Sequence, residues 1–451
     1  MDKRDYKKQL IKIALPIMLS NLISQVQMLI DKIFLGRLDI TCMSAVGNAS
    51  SPMWTTMNIV FSLSVGGTIL MSQAKGAGES EKAQKIMDSL FLYNNVFSVL
   101  FFAVWMILPK LIFTIMGVGD NVIGMSVEYA RYYSPVFLLL GLGVSVSVML
   151  QVSEKTGILV VYGLVRSLVN IFLDWVLIFG NLGMPRMEVA GAALATTIAE
   201  YIGDIVILVY VIVSKDILLK PRFANVLKAK WTNFYDSLKL GLPSALEDFT
   251  WNFGSLYLIV MLNRISETAA GIYSIVFSIE LLPIVIMDSL GRATLTVSGI
   301  ETGKVNYKGI KDVVLICIKW SACLGAFILL MCILFPETIL SWFTTDRTVI
   351  ASAAIYLLII GIDLFPKSGN IIVGSGIKGF GNTKWMFGTQ IFGTIFIITM
   401  SSILVMGFNC GIAEIFCVVV ADETIRVIMN SLKLRSIVNE GKIKQAESTL
   451  V

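Results

Sequence analysis

Residues 161–200 read VYGLVRSLVN IFLDWVLIFG NLGMPRMEVA GAALATTIAE. The first half is an apolar run of bilayer-spanning length, and it carries two side chains that lipid does not tolerate alone: Asn170 and Asp174. They lie four residues apart, so a helix presents both on one face. A carboxylate at membrane depth costs about 2.5–3.5 kcal/mol on insertion scales, and it persists where it meets a cavity, a partner or an ion. Asn170 offers a carbonyl oxygen and an amide, Asp174 a charge that takes a proton or a cation. After a turn at Gly180–Pro185, the next apolar run opens with Gly191-Ala192-Ala193, small residues that let helices approach closely. Thr196 and Thr197 come one turn on, and the only earlier acid within a membrane run is Asp31. The expectation is that Asp31, Asn170, Asp174 and Thr196 line one buried polar site.

The rest of the composition agrees with a membrane setting. The 451-residue chain is 56% hydrophobic and 15% charged, where a soluble domain is about a quarter charged. With ~20 residues per span plus short loops, this is an all-α polytopic membrane protein of roughly twelve helices. Segments of about ten residues with alternating hydrophobicity, the mark of a β-barrel, are missing. The net charge of +5 is modest and lies mostly in loops and termini, which fits membrane-surface asymmetry and not nucleic-acid binding. The chain has no histidine, which removes histidine relays and any serine–histidine triad. The six cysteines are scattered without a CxxC and read as small core residues. No cleavable signal peptide is expected at MDKRDYKKQL. No GxxxxGK[ST] is present, so an ATP-driven process is unsupported.

Spans fall near 11–36, 52–74, 89–115, 132–152, 157–181, 188–214, 236–262, 267–298, 313–341, 351–377, 386–407 and 409–432. Lysine and arginine concentrate in the loops on the N-terminal side, above all from Lys215 to Lys239, which places both termini in the cytoplasm of a plasma membrane. The chain also repeats. Ala14-Leu15-Pro16 matches Gly241-Leu242-Pro243, Gly67-Thr68-Ile69-Leu70 matches Arg292-Ala293-Thr294-Leu295, and Glu154-Lys155-Thr156 matches Gly381-Asn382-Thr383, all at offsets of 225–227 residues. Two six-helix lobes, 1–225 and 226–451, related by a parallel pseudo-two-fold repeat, are the architecture this implies. It rocks two bundles about a central cavity.

Asp31 has polar company in Gln25 and Gln27. Two carboxylates brought close share a proton or a cation, so a proton and a sodium ion would compete there. Sodium, a hard cation, prefers oxygens such as those of Asp31, Asn170, Asp174 and Thr196. Glu200, Asp204 and Arg166 read as an ion-paired set. The second half supplies Glu247, Asp248, Trp251, Glu280, Asp288, Asp363 and Lys367 as cavity candidates, with aromatic and methionine side chains as an adaptable wall for aromatic cations.

The chain resembles the multidrug and toxic compound extrusion (MATE) family over nearly its whole length. The marks are ALPIMLSNL followed by LIDKIFLGRL, then SQAKGAG, VNIFLDWVLIFGNLGMPRMEVAGAALATTIAE and GIKGFGNTK. The resemblance implies twelve helices in two lobes around a cleft, and secondary active export of organic, often cationic, compounds against inward sodium ions or protons. It also implies a cation site at Asp31, Asn170, Asp174 and Thr196. The second half departs from the sodium-driven branch of the family: Trp251 stands for an acid in the seventh span, with Glu247 one turn earlier, and Lys367 for an acid in the tenth, with Asp363 one turn earlier. Beyond a bound sodium ion no cofactor is expected. The partners expected are the bilayer, small organic substrates and the coupling ion, and the chain is expected to act as a monomer. A flippase for a lipid-linked precursor is the alternative, although the cavity candidates here are mostly acids. An intramembrane enzyme lacks any supporting motif.

Overall fold

The computed structural model describes residues 2–215, 217, 219–221, 223–266 and 268–449. Among them there are helices and turns but no strands. In chain order the helices are α1 (Lys3–Gly36), α2 (Ile40–Gly76), α3 (Ser80–Ile107), α4 (Pro109–Ile115), α5 (Asp120–Tyr133), α6 (Val136–Val152), α7 (Ile158–Leu177), α8 (Glu188–Val213), α9 (Phe223–Val226), α10 (Trp231–Ile265), α11 (Ala269–Gly303), α12 (Tyr307–Leu334), α13 (Pro336–Ser341), α14 (Arg347–Phe380), α15 (Thr383–Ser402) and α16 (Ile412–Thr449). Nine of the described helices are long and apolar enough to cross a membrane, or ten if α5 and α6, bent by 47° at their junction, make one span.

Three of the expected spans are broken at proline, one of them the span placed at 313–341, where α12 ends at Leu334 and Pro336 opens α13. The run 89–115 divides at Leu108, because Pro109 opens α4 as its first residue, and a proline disfavours helical geometry in the residue before it. The span placed at 132–152 begins instead as α5, turns at Ser134-Pro135 and continues as α6. The last helix runs well past the expected 432, to Thr449.

The chain forms two compact units, one of residues 15–71 and 79–241, the other of residues 1–14, 72–78 and 242–451. In the first, α8 packs on α7, α5 and α6, and α3 on α6. Its core gathers Met53, Trp105, Phe113, Phe137 and Ile178. In the second, α14 is the central helix, packed on α11, α12, α15 and α16. Its core gathers Leu262, Val276, Leu340, Leu357 and Phe416.

Reciprocal glycine contacts draw helices together in each unit. In the first, Gly66 of α2 lies on the Ser237 carbonyl of α10, and Gly241 of α10 on the Leu63 backbone. In the second, Gly76 of α2 lies on the Ile300 carbonyl of α11, and Gly303 of α11 on the Gln73 carbonyl. A Cβ at any of the four would overlap those backbone atoms, so the close helix approach depends on its absence.

Candidate functional site

In the first unit, α1, α7 and α8 bring the four expected residues together. Gly191 at the start of α8 faces the Leu177 carbonyl of α7, where a Cβ would come within 2.7 Å. This lets α8 carry Thr196 alongside Asn170. Asn170 is 0% and Asp174 1% exposed. Ser167 Oγ donates to Gln27 Oε1 at 2.9 Å, Gln27 Nε2 to Asn170 Oδ1 at 2.7 Å, and Asn170 Nδ2 to Thr196 Oγ1 at 3.2 Å. Thr196 Oγ1 in turn donates to the Ala192 carbonyl at 3.0 Å. The amides and hydroxyls thus form one directed chain that orients each oxygen.

The two acids stand beside this chain. The carboxyls of Asp31 and Asp174 approach each other at hydrogen-bonding range, and Gln27 lies against Asp31. Asp31 Oδ1 and Asp174 Oδ1 are buried with no hydrogen-bond partner. The neighbouring base, Arg166, is engaged elsewhere: Nη1 donates to Glu200 Oε1 at 2.9 Å and Nη2 to Ser24 Oγ at 2.5 Å. Tyr162 also donates to Glu200, at 2.9 Å. Asp204 is 5% exposed on the same helix as Glu200.

In the second unit, part of the second-half set converges. Trp251, Glu280, Asp363 and Lys367 line one pocket. Lys367 Nζ is paired with Glu280 Oε1, and lies 2.8 Å from Asp363 Oδ2. One wall is aromatic: Tyr273 stacks on Phe277 at 5.9 Å and approaches Phe416 at 5.5 Å, while Trp251 lies 6.4 Å from Phe277. The other expected acids sit apart from the pocket lining. Glu247 pairs with Lys378 at 2.8 Å, Asp288 with Arg292 at 2.9 Å, and Asp248 is exposed.

A charged group on α16 lies outside the expected set. Arg426 donates from Nε to Asp422 Oδ2 at 3.0 Å, from Nη1 to Gln390 Oε1 at 2.7 Å and from Nη2 to Glu423 Oε1 at 2.7 Å. Asn370 Nδ2 donates to Glu423 Oε2 at 2.6 Å, and Asn430 Nδ2 to Asn370 Oδ1 at 3.1 Å. The signal for it is in ADETIRVIMN, residues 421–430. Asp422, Arg426 and Asn430 recur every fourth residue inside a run of membrane-spanning length, the same pattern that singles out Asn170 and Asp174.

The MatE family model matches residues 16–176 and 243–429. The probable multidrug resistance protein NorM of Thermotoga maritima is 29% identical over 390 residues, 84% of this chain and 81% of that protein. The probable multidrug resistance protein YoeA of Bacillus subtilis is 24% identical over 382 residues, 84% of this chain and 82% of that protein. A multidrug resistance MATE family transporter of the MOP superfamily, solved in an outward-facing conformation, has a TM-score of 0.89 at 19% identity over 97% of each chain. MATE in the bent conformation has a TM-score of 0.90 at 19% identity, over 98% of this chain and 97% of that one. The matched segments contain Asp31, Asn170 and Asp174 on one side and Glu280, Asp363, Lys367 and Arg426 on the other. With both halves matched, the chain belongs to the MatE family of multidrug efflux transporters, which are multi-pass membrane proteins and not enzymes.

Proposed function

We propose that the chain is a secondary antiporter that expels organic, chiefly cationic, compounds in exchange for inward sodium ions or protons. One observation carries this reading: Asp31 and Asp174 face each other inside the protein, and neither is ion-paired with a basic side chain among the described residues. Two buried carboxylates at this range repel each other unless something positive lies between them. Arg166 is the neighbouring base, and its hydrogen bonds go to Glu200 and Ser24, so this reading assigns the compensating charge to a proton or cation from solution. The oxygens of Asp31, Asn170, Asp174 and Thr196 suit a sodium ion, and either carboxyl suits a proton.

Loading the site favours one arrangement of the helices, and unloading favours another. A substrate that prefers the opposite arrangement is then driven by the ion gradient, since coupling is the difference in affinity between two states. The pocket in the other unit supports cationic cargo. It is lined by four acids, Glu280, Asp363, Asp422 and Glu423, against two bases, Lys367 and Arg426, beside aromatic rings. That excess of negative charge and π faces suits an organic cation. A flippase would be served better by a basic cavity that holds phosphate.

The architecture proposed with this function is twelve spans in a plasma membrane, with both termini cytoplasmic and a monomer as the working unit. Nine long apolar helices, the bent pair α5–α6 and the charge-bearing α10 and α16 supply the twelve. Prolines open the short helices α4 and α13 at Pro109 and Pro336, 227 residues apart. This spacing supports the parallel repeat of lobes 1–225 and 226–451.

The test is efflux of a fluorescent cation, ethidium, from proteoliposomes under a sodium gradient alone and then a pH gradient alone. Transport under one gradient, lost in Asp31→Asn, is the expected result and names the ion. Equal transport by wild type and variant would overturn the assignment.

A further inference from the structure

We infer that the segment from Leu227 to Lys239 is a docking surface for anionic phospholipid headgroups, resting on the reading that places this end of the chain at the cytoplasmic face. The segment follows a membrane helix. The last residues of α8, Ile212 and Val213, are 74% and 72% exposed, and Lys220 Nζ donates to the Ile212 carbonyl at 3.2 Å. On that reading, this end of α8 and the basic segment after it lie at the depth of the headgroups.

Ahead of Trp231 the chain makes a short helix, α9, and a turn at Leu227-Lys228. Three side chains of α3 hold it: Gln84 Nε2 donates to the Lys220 carbonyl at 2.8 Å, Ser89 Oγ to the Lys230 carbonyl at 3.2 Å and Tyr93 OH to the Ala229 carbonyl at 3.5 Å. Phe234, 1% exposed, locks the far end. Its ring lies 5.1 Å from Tyr93, 5.8 Å from Phe97 and 5.3 Å from Trp231. With these groups turned onto α3, Leu227, Lys228, Lys230, Trp231, Tyr235 and Lys239 are left exposed.

Apolar and basic side chains make up most of the exposed set. Leu227, Trp231 and Tyr235 are 65%, 46% and 47% exposed. Lys228, Lys230 and Lys239 are exposed between them. Lys239 lies over the Tyr235 ring and pairs with Asp236, the single acid between residues 226 and 241. Lys228 and Lys230 make no ion pair among the described residues. Tryptophan and tyrosine settle at the headgroup level, and lysine stems lie along apolar surface while their ammonium groups reach outward. A neutral lipid would satisfy the rings and leave both lysines without counter-charge. An anionic headgroup satisfies both sets together.

The experiment is native mass spectrometry of the full-length protein in detergent, titrated with phosphatidylglycerol or phosphatidylcholine. Wild type should retain phosphatidylglycerol in preference. The pair Lys228→Gln and Lys230→Gln should reduce that preference about tenfold, and the pair Lys228→Arg and Lys230→Arg should keep it. Trp231→Ala should weaken retention of both lipids. An unchanged preference in the glutamine pair overturns the proposal, as does displacement of phosphatidylglycerol by inorganic phosphate, which would mark a site for soluble anions. The measurement uses no gradient and no transported substrate, so its failure leaves the antiport reading standing, and a failure of antiport leaves this surface standing.

Discussion

Around Asp31 and Asp174 the protein places amides and hydroxyls and, among the described residues, no base in a salt bridge with either acid; around Glu280 and Asp363 it places the ammonium group of Lys367. Both regions hold two acids out of water, and both sit on apolar helices. In the second unit the compensating charge is covalently attached and cannot leave. In the first, on the proposed function, it is mobile. A carrier needs a charge that binds and departs within each cycle, and the proposed function gives that part to the region around Asp31 and Asp174. The region with an internal cation keeps a constant electrostatic character through that cycle, which suits recognition of a cargo.

The largest effect that tests this contrast is at Asp174. Asp174→Asn keeps the shape and the neighbours but leaves one carboxyl where two faced each other. Gradient-driven efflux should fall to the background leak, with insertion and thermal stability retained. If the variant pumps at the wild-type rate, the mobile-charge assignment fails.

The next effect is on stability. Lys367→Met leaves Glu280 and Asp363, 2% and 1% exposed, without their common partner. Removing one member of a buried ion pair costs about 3–5 kcal/mol. The melting temperature in detergent should drop, and adding Asp363→Asn should recover part of the loss. The same variant sharpens the comparison, because its melting should become sensitive to sodium or pH as the emptied acids take a substitute cation. A variant as stable as wild type, and indifferent to both, would mean that Lys367 is not the compensating charge.

A smaller effect is expected at Thr196, which accepts from Asn170 and donates to the Ala192 carbonyl. Thr196→Ala should raise the half-saturating ion concentration for efflux about tenfold, the worth of one lost buried hydrogen bond, while the maximal rate changes little. Ion titration of the transport rate reads this directly, and a curve superimposable on wild type would remove Thr196 from the site.

The first site is legible because its residues announce themselves locally. Asn170 and Asp174 share a helix face by spacing alone, and Gly191 explains how Thr196 reaches them. The chain of donors through Gln27 and Ser167 is not legible, since it depends on how α1 lies against α7, which no local pattern encodes. The second site is legible only in part. Glu280, Asp363 and Lys367 stand out as charges in apolar runs, but Glu247 is drawn to Lys378 and Asp248 to the exposed face of α10. Pairing between distant helices settles those positions, and sequence spacing is silent about it. Arg426, Asp422 and Glu423 have a readable spacing of their own, yet nothing in it says that the last span packs on α14 and α15 and so forms a wall of the pocket. The breaks at Pro109 and Pro135 show the converse: a run of sufficient hydrophobicity fixes that a segment is buried in lipid, and proline decides whether it crosses as one helix.

The four glycines at the reciprocal contacts carry a consequence for the gene. At Gly66, Gly76, Gly241 and Gly303 the space beyond Cα already belongs to another helix's backbone. Every missense change at these codons adds at least one carbon atom, and the obstructing atom is main chain, which no compensating side-chain substitution can remove. The positions are therefore closed to gradual drift. While loops and lipid-facing residues diverge freely, these four can be replaced only together with a shift of the helix they touch, so they act as fixed registers against which the rest of the sequence is free to vary.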